Sequence, residues 1–201
     1  LNLLKKLIKS SFDNDGFPKS RSIRQLCFYL KYFILIREWL KESQSEIPDF
    51  INENIYYLGQ AYAFTWQNNK IDLLFNGNHE TDNIEFDHYL KKLGYSFKNQ
   101  NSELGGYAIL NDRRTSLIMD VGSSPDKKIS TNYQAGALSF EIISNGKKLI
   151  CNSGYFQNHD HQLNELSKSS AIHSTLILDD RSSCKFNKIK NEGSEISYGL
   201  K

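Results

Sequence analysis

Asn132-Tyr133-Gln134-Ala135-Gly136-Ala137-Leu138-Ser139-Phe140-Glu141 is the stretch whose reading decides the fold. An Asn145-Gly146 pair follows it, then Asn152-Ser153-Gly154-Tyr155 and Ala171-Ile172-His173-Ser174-Thr175-Leu176. Asn-Gly between two apolar runs is among the strongest short hairpin signals, because both central residues of the tight turn need positive φ. The spacing therefore predicts strands over 138–144 and 147–152, and β-branched composition predicts another over 174–178. Asn132, Gln134, Asn152 and His173 fall at the ends of these strands. Gathered there, they would form a polar rim facing the preceding part of the chain.

Working outward, 106–110 and 115–121 read as two strands joined through Asn111-Asp112-Arg113-Arg114, and 186–189 and 196–198 as weaker ones. Before residue 100 the period changes. Ile23, Leu26, Cys27, Leu30 and Ile34 mark one face of a helix over about 22–41, and Pro48 suits the first turn of the next. Ile51, Ile55, Leu58, Tyr62 and Thr65 give that second helix its stripe, and a shorter helix over 83–93 ends at Gly94. Helices followed by strands predict an α+β fold in segregated parts, not a parallel α/β sheet. The polar stretch 98–103 divides a helical part, 1–100, from an antiparallel β-sandwich part, 104–201.

The 25 Lys and Arg against 23 Asp and Glu give a net charge of +2, scattered along the chain, which speaks against a nucleic-acid partner. The 11 Tyr and 12 Phe read mainly as core and strand residues. Cys27, Cys151 and Cys184 have no disulfide or metal spacing and read as small apolar residues, with Cys184 expected at the surface. The most apolar run, Leu26 to Ile36, contains Lys31 and is too short to span a bilayer. Leu1-Asn2-Leu3-Leu4-Lys5-Lys6 reads as a helix already under way, and 198–201 as strand-like, so the layout is that of a piece of a longer protein.

Three constellations carry possible chemistry. In the first, the amide oxygens of Gln134 and Asn152 with the imidazole of His173 can hold a cation, and the Asn132 amide can donate to a substrate carboxylate. Their plain alternative is hydrogen bonding at strand ends. In the second, Asn158-His159-Asp160-His161 mimics part of a metal site, but 157–168 is polar and reads as an exposed loop. In the third, Asp13-Asn14-Asp15-Gly16 lacks the later ligands of a calcium loop and reads as an interhelical turn, with Ser20 or Ser22 capping the next helix.

The chain resembles the heparinase II/III-like polysaccharide lyases. The resemblance is carried by Leu74-Phe75-Asn76-Gly77, by Gly106-Tyr107-Ala108-Ile109-Leu110 through Asp120-Val121-Gly122, and by Gly136-Ala137-Leu138-Ser139-Phe140-Glu141. Asn152-Ser153-Gly154 and His173-Ser174-Thr175-Leu176 complete it. It implies the end of an α/α toroid followed by the start of a β-sandwich. It also implies β-elimination on uronate-containing polysaccharides, in the periplasm or cell envelope. On that likeness Asn132 neutralises the uronate carboxylate, and Gln134, Asn152 and His173 hold one divalent cation, calcium-like in preference to zinc. Lys168, where relatives often have Arg, contacts the acidic polysaccharide, and an acid–base tyrosine sits upstream of Leu1. Asn132, Gln134 and Asn152 stand where many members have His, His and Asp, which leaves open a non-catalytic glycan-binding homologue. The register also predicts that Phe140→Asp would bury an unpaired charge and unfold the sandwich.

Overall fold

The structure is a computed structural model and describes residues 2–67, 70–81, 83–189 and 193–200. Its helical part holds α1 (Asn2–Ser11), α2 (Ile23–Glu42), α3 (Asp49–Tyr62) and α4 (Asn83–Lys92). Ser22 caps α2, its hydroxyl accepting from the Gln25 N–H at 3.3 Å. Ile23, Leu26, Leu30, Phe33 and Ile34 form the buried face of α2, against Ile51, Ile55, Leu58 and Tyr62 of α3. A π-helical turn, Ala63–Gln67, continues α3. In the loop after α1, the Asp13 carboxylate accepts from the N–H groups of Asp15 and Phe17 at 3.0 and 2.8 Å. That interhelical turn places Phe17 in the core with no exposed surface.

The strand-rich part is an antiparallel five-stranded sheet in sequence order: β1 (Glu103–Leu104), β2 (Tyr107–Asp112), β3 (Thr115–Asp120), β4 (Phe140–Ser144) and β5 (Lys147–Ile150). Asn145 and Gly146 turn between β4 and β5 with φ of 50° and 72°, the conformation the Asn-Gly pair predicts. A short helix, α5 (Gln162–Lys168), precedes a separate hairpin of β6 (Lys185–Ile189) and β7 (Gly193–Tyr198).

Four expectations change. Residues 174–178 form no strand: only Ser174 reaches the sheet, at the first residue of β4, before β4 pairs with β5. The Ser174 backbone instead accepts from the Phe140 N–H and donates to the Asn152 side chain. The segment 157–168 is not all loop: His161 Nδ1 accepts from the Leu163 N–H and opens α5. Cys184 is buried beside Tyr133, Ala135 and Ile196, whereas Cys151 is exposed. Finally, the inward residues of β4 are Glu141 and Ile143, and Phe140 is half-buried on the opposite face. Phe140→Asp therefore places its charge at a partly wet surface, and the unfolding expected of it no longer follows.

One continuous apolar core runs from Phe12, Phe17 and α2–α3 into Tyr107, Ile109, Ile118 and Ile143 of the sheet. A buried polar network crosses it. Arg21, at φ 61° just before α2, sends its guanidinium into the sheet half. It meets Asp120 Oδ1 at 2.6 Å, the carbonyls of Gly106, Ser123 and Gly122 at 2.8, 3.0 and 3.1 Å, and that of Gly105 at 3.3 Å. A Cβ at Gly106 or Gly122 would lie 2.8 or 2.7 Å from the guanidinium, so both positions need glycine. Asn76 Nδ2 donates to Asp120 Oδ2 at 3.0 Å and to the Tyr107 hydroxyl at 2.7 Å; that hydroxyl donates to the Arg21 carbonyl at 2.6 Å.

Truncating one member of a buried pair strands the other's charge, which costs about 3–5 kcal/mol. Arg21→Leu should lower the unfolding free energy by about that much in urea titrations. Adding Asp120→Leu should restore part of the loss; a double variant as unstable as the sum of the singles would contradict the pairing.

Candidate functional site

Gln134 and Asn132 both abut the Asn76-Gly77 turn, which lies between the π-helical turn and α4 and packs against the sheet half. Gln134 Oε1 accepts from the Gly77 N–H at 3.1 Å, and a Cβ on Gly77 would come within 2.8 Å of Asn132 Cβ. Gln134 Nε2 donates to the carbonyls of Gly154 and Ser167 at 3.0 and 2.5 Å. Asn152 Oδ1 accepts from the Ser174 N–H at 3.0 Å. His173 is 9% exposed. Burial pulls its imidazole down to about 4, against a hydrogen bond with the Ser167 backbone, so the ring is neutral at pH 7. Gln134 and His173 thus meet at the Ser167 backbone and Asn152 is held beside them through Ser174, with Asn152 Nδ2 and His173 Nε2 buried without a hydrogen-bond partner among the described residues.

Behind Asn152 lies Glu141, also fully buried. Its Oε1 accepts from the N–H groups of Asn152 and Leu74 at 3.0 and 3.1 Å, and Oε2 lies 3.9 Å from the Lys148 ammonium. Burial raises this carboxyl above its ordinary range, opposed by Lys148 and the two N–H donors.

Lys168 is 2% exposed. Its ammonium donates to the carbonyl of Thr131 at 2.5 Å and to the hydroxyl and carbonyl of Ser194 at 2.8 and 3.1 Å. The Tyr155 and Phe186 rings flank it, and burial pulls its pKa down to about 8. So placed, Lys168 ties the β6–β7 hairpin to the 131 segment, away from solvent where a polymer would bind.

Asn132 is different. It is half-buried and lines a cleft of about 200 Å³ between the two parts of the fold. Ser20, Gln25 and Tyr29 contribute from the helical side; Lys128, Ile129 and Thr131 from the other. Ser20 Oγ donates to Gln25 Oε1 at 2.5 Å, which leaves the Gln25 amino group for the cleft. The expected common rim therefore resolves into a buried trio and a single amide at an open cleft. A larger groove of about 700 Å³ lies beyond Asn152, walled mostly by Leu74, Phe156, Leu163, Leu166 and Ile172, with His79 and Glu80 at its edge. Burial, helped by Arg24, lowers the His79 pKa. The two rings of His159-x-His161 serve separate local purposes: His161 caps α5, and His159 packs on Tyr155.

Residues 99–196 match the family model described as Heparinase II/III-like, C-terminal. Over that stretch, just under half of the chain, the sequence is similar to a heparinase II/III-like C-terminal domain. No curated protein sequence matches the chain. Among solved structures it is similar to the heparan sulfate lyase HepC from Pedobacter heparinus, with TM-score 0.72 and 16% identity over 94% of this chain and 35% of that one. It is also similar to a structure titled Heparinase III, with TM-score 0.68 and 17% identity over 97% of this chain and 38% of that one. At these identities the likeness is one of fold, and the chain spans little more than a third of either neighbour's length.

In this fold the expected ligand trio does not fit a divalent cation. The Gln134 and Asn152 carbonyl oxygens already accept backbone N–H groups, and neither brings negative charge. Among the described residues no three His, Cys, Asp or Glu side chains converge on a metal position. A lone imidazole with two engaged amides suits neither calcium, which wants carboxylates, nor zinc, which wants imidazoles and thiolates. Sequence reasoning did not reach Gln25, Tyr29 or Lys128, because only the tertiary packing of α2 against the 128–132 segment places them beside Asn132.

The His173 shift predicts a pH dependence. The folded ring titrates near 4 and an ordinary histidine near 6.5, so the unfolded chain takes up the proton first as pH falls. The ring's contribution is whole above pH 6.5 and is lost towards pH 4, by roughly 3 kcal/mol in all. Unfolding free energies across that window should fall less steeply in His173→Gln than in wild type; parallel slopes would exclude a buried neutral ring.

Proposed function

We propose that the protein is a polysaccharide lyase that cleaves uronate-containing glycans, of the heparin, heparan or alginate kind, by β-elimination. The observation that carries this reading is the position of Asn132, with its amide at a cleft between the two parts that combines amide, phenol and ammonium groups. The fold's similarity to heparan sulfate lyase HepC and heparinase III supports it. On this reading residues 1–100 are the end of an α/α toroid and 104–201 the start of a C-terminal sandwich. The protein meets its acidic polysaccharide in the periplasm or cell envelope.

β-Elimination needs the C5 proton of a uronate made acidic, removed, and the O4 leaving group protonated. Charge develops on the adjacent carboxylate as the proton leaves, so donors fixed at that carboxylate stabilise the transition state more than the ground state. Asn132 supplies one such donor. It has no basic lone pair at neutral pH, so proton removal falls to another group. Gln134 and Asn152 brace the loops that present Asn132, and no step is routed through a cation.

A second reading has its own support. Gln134 and Lys168 are engaged through all their polar atoms and Asn152 and His173 are buried, as in a homologue that binds glycan without breaking it. The two readings part on one measurement. Mixed with acidic glycans, a lyase releases unsaturated uronate products that absorb in the ultraviolet, and Asn132→Ala should slow their release by about 10²-fold, the effect of removing one oxyanion-type donor. Oligosaccharide binding with no absorbing product would favour the non-catalytic homologue, and neither binding nor product would remove both.

A further inference from the structure

The cleft at Asn132 contains more than the amide that the family likeness points to. Lys128 is the middle residue of a short 3-10 turn, Lys127–Ile129, whose start is held by the Asp126 carboxylate accepting the Lys128 N–H at 3.1 Å. Its neighbour Lys127 is engaged with Glu195 at 2.8 Å, whereas the Lys128 ammonium forms no ion pair among the described residues. Across the cleft, Ser20 orients the Gln25 amide by donating to its oxygen, so the Gln25 N–H groups point away from Ser20. Tyr29, one helical turn further along α2, gives that side of the cleft a flat aromatic wall.

We infer that Lys128 and Gln25, together with Asn132, form a subsite for an anionic substituent on a sugar ring, with Tyr29 as the surface on which the ring lies. This rests on the proposed glycan reading and deepens it by naming the charged partner. The three side chains supply N–H donors and one full positive charge, and no carboxylate lines the cleft. A volume of about 200 Å³ suits one substituent or one ring, not a chain segment. The donors come from both halves of the fold, so the subsite exists only when α2 and the 128–132 segment are packed together. Carboxylate and sulfate share the chemistry such a site recognises, and the experiment separates them.

The test is calorimetric binding of defined acidic oligosaccharides to the full chain, in three versions: native, carboxyl-reduced and desulfated. Lys128 is exposed and Gln25 half-buried, so Lys128→Gln and Gln25→Glu leave the core intact, which circular dichroism checks. Lys128→Gln should weaken binding of the native ligand about tenfold and flatten its salt dependence. Gln25→Glu, which sets a like charge against the ligand, should weaken it further. If the effect of Lys128→Gln disappears with the carboxyl-reduced ligand, the substituent is the uronate carboxylate; if with the desulfated one, it is a sulfate. Equal affinity of wild type and Lys128→Gln for the native ligand overturns the subsite. Because affinity and not product is the readout, that failure is distinct from failure of the lyase reading, which the wild-type ultraviolet assay reports alone.

Discussion

The Arg21 guanidinium, held out of water by five acceptors from the sheet half, is the constraint on which the architecture turns. A buried guanidinium is tolerable only when nearly every N–H finds a partner, and here the partners are an aspartate and four carbonyls in loops flanking β2 and β3. Those carbonyls cannot shift without leaving donors unpaired. The ion pair thus locks the start of α2 against the sheet, and Asn76 and Tyr107 extend the lock to the Asn76-Gly77 turn between α3 and α4. Apolar packing supplies the bulk of the driving force across this boundary, but it is tolerant of sliding. The polar lock sets the alignment.

Glu141 acts in the same way one strand further along, on the same face of the sheet as Asp120. Its carboxylate collects the N–H groups of Leu74 and Asn152, so the segment after α3 and the segment after β5 share one acceptor. Gln134 repeats the pattern with Gly77, Gly154 and Ser167. Irregular segments cannot satisfy their own backbone groups as helices and ladders do, and buried side-chain amides and carboxylates do it for them. The side chains that looked like ligands in sequence are therefore largely occupied as connectors. The cleft keeps those polar groups that the connectors do not need.

What was legible in sequence was local. The 3.6-residue stripe of α2, the Ser22 cap, the Gly94 stop and the Asn145-Gly146 turn each depend on residues within a few positions of one another. The segment 174–178 misled because β-branched composition signals a willingness to pair, and here the backbone after Ser174 leaves the sheet after one contact with β4. Phe140 misled because a strand buried on one face and half-buried on the other gives two plausible inward sets, and here a carboxylate takes the inner one. Lys168 misled because a lysine is ordinarily a surface residue, and nothing nearby in sequence announces the Thr131 and Ser194 acceptors that bury it.

By itself the sequence determined the order of elements, helices first and then an antiparallel hairpin-built sheet, together with the likeness that links it to polysaccharide lyases. Periodicity, caps and turns are properties of neighbours along the chain, so they survive without coordinates. Only the tertiary structure decided which polar side chains are free to meet a ligand. That depends on partners dozens of residues away, such as Gly77 for Gln134 and Ser194 for Lys168, and on the packing of α2 against the 128–132 segment that opens the cleft beside Asn132.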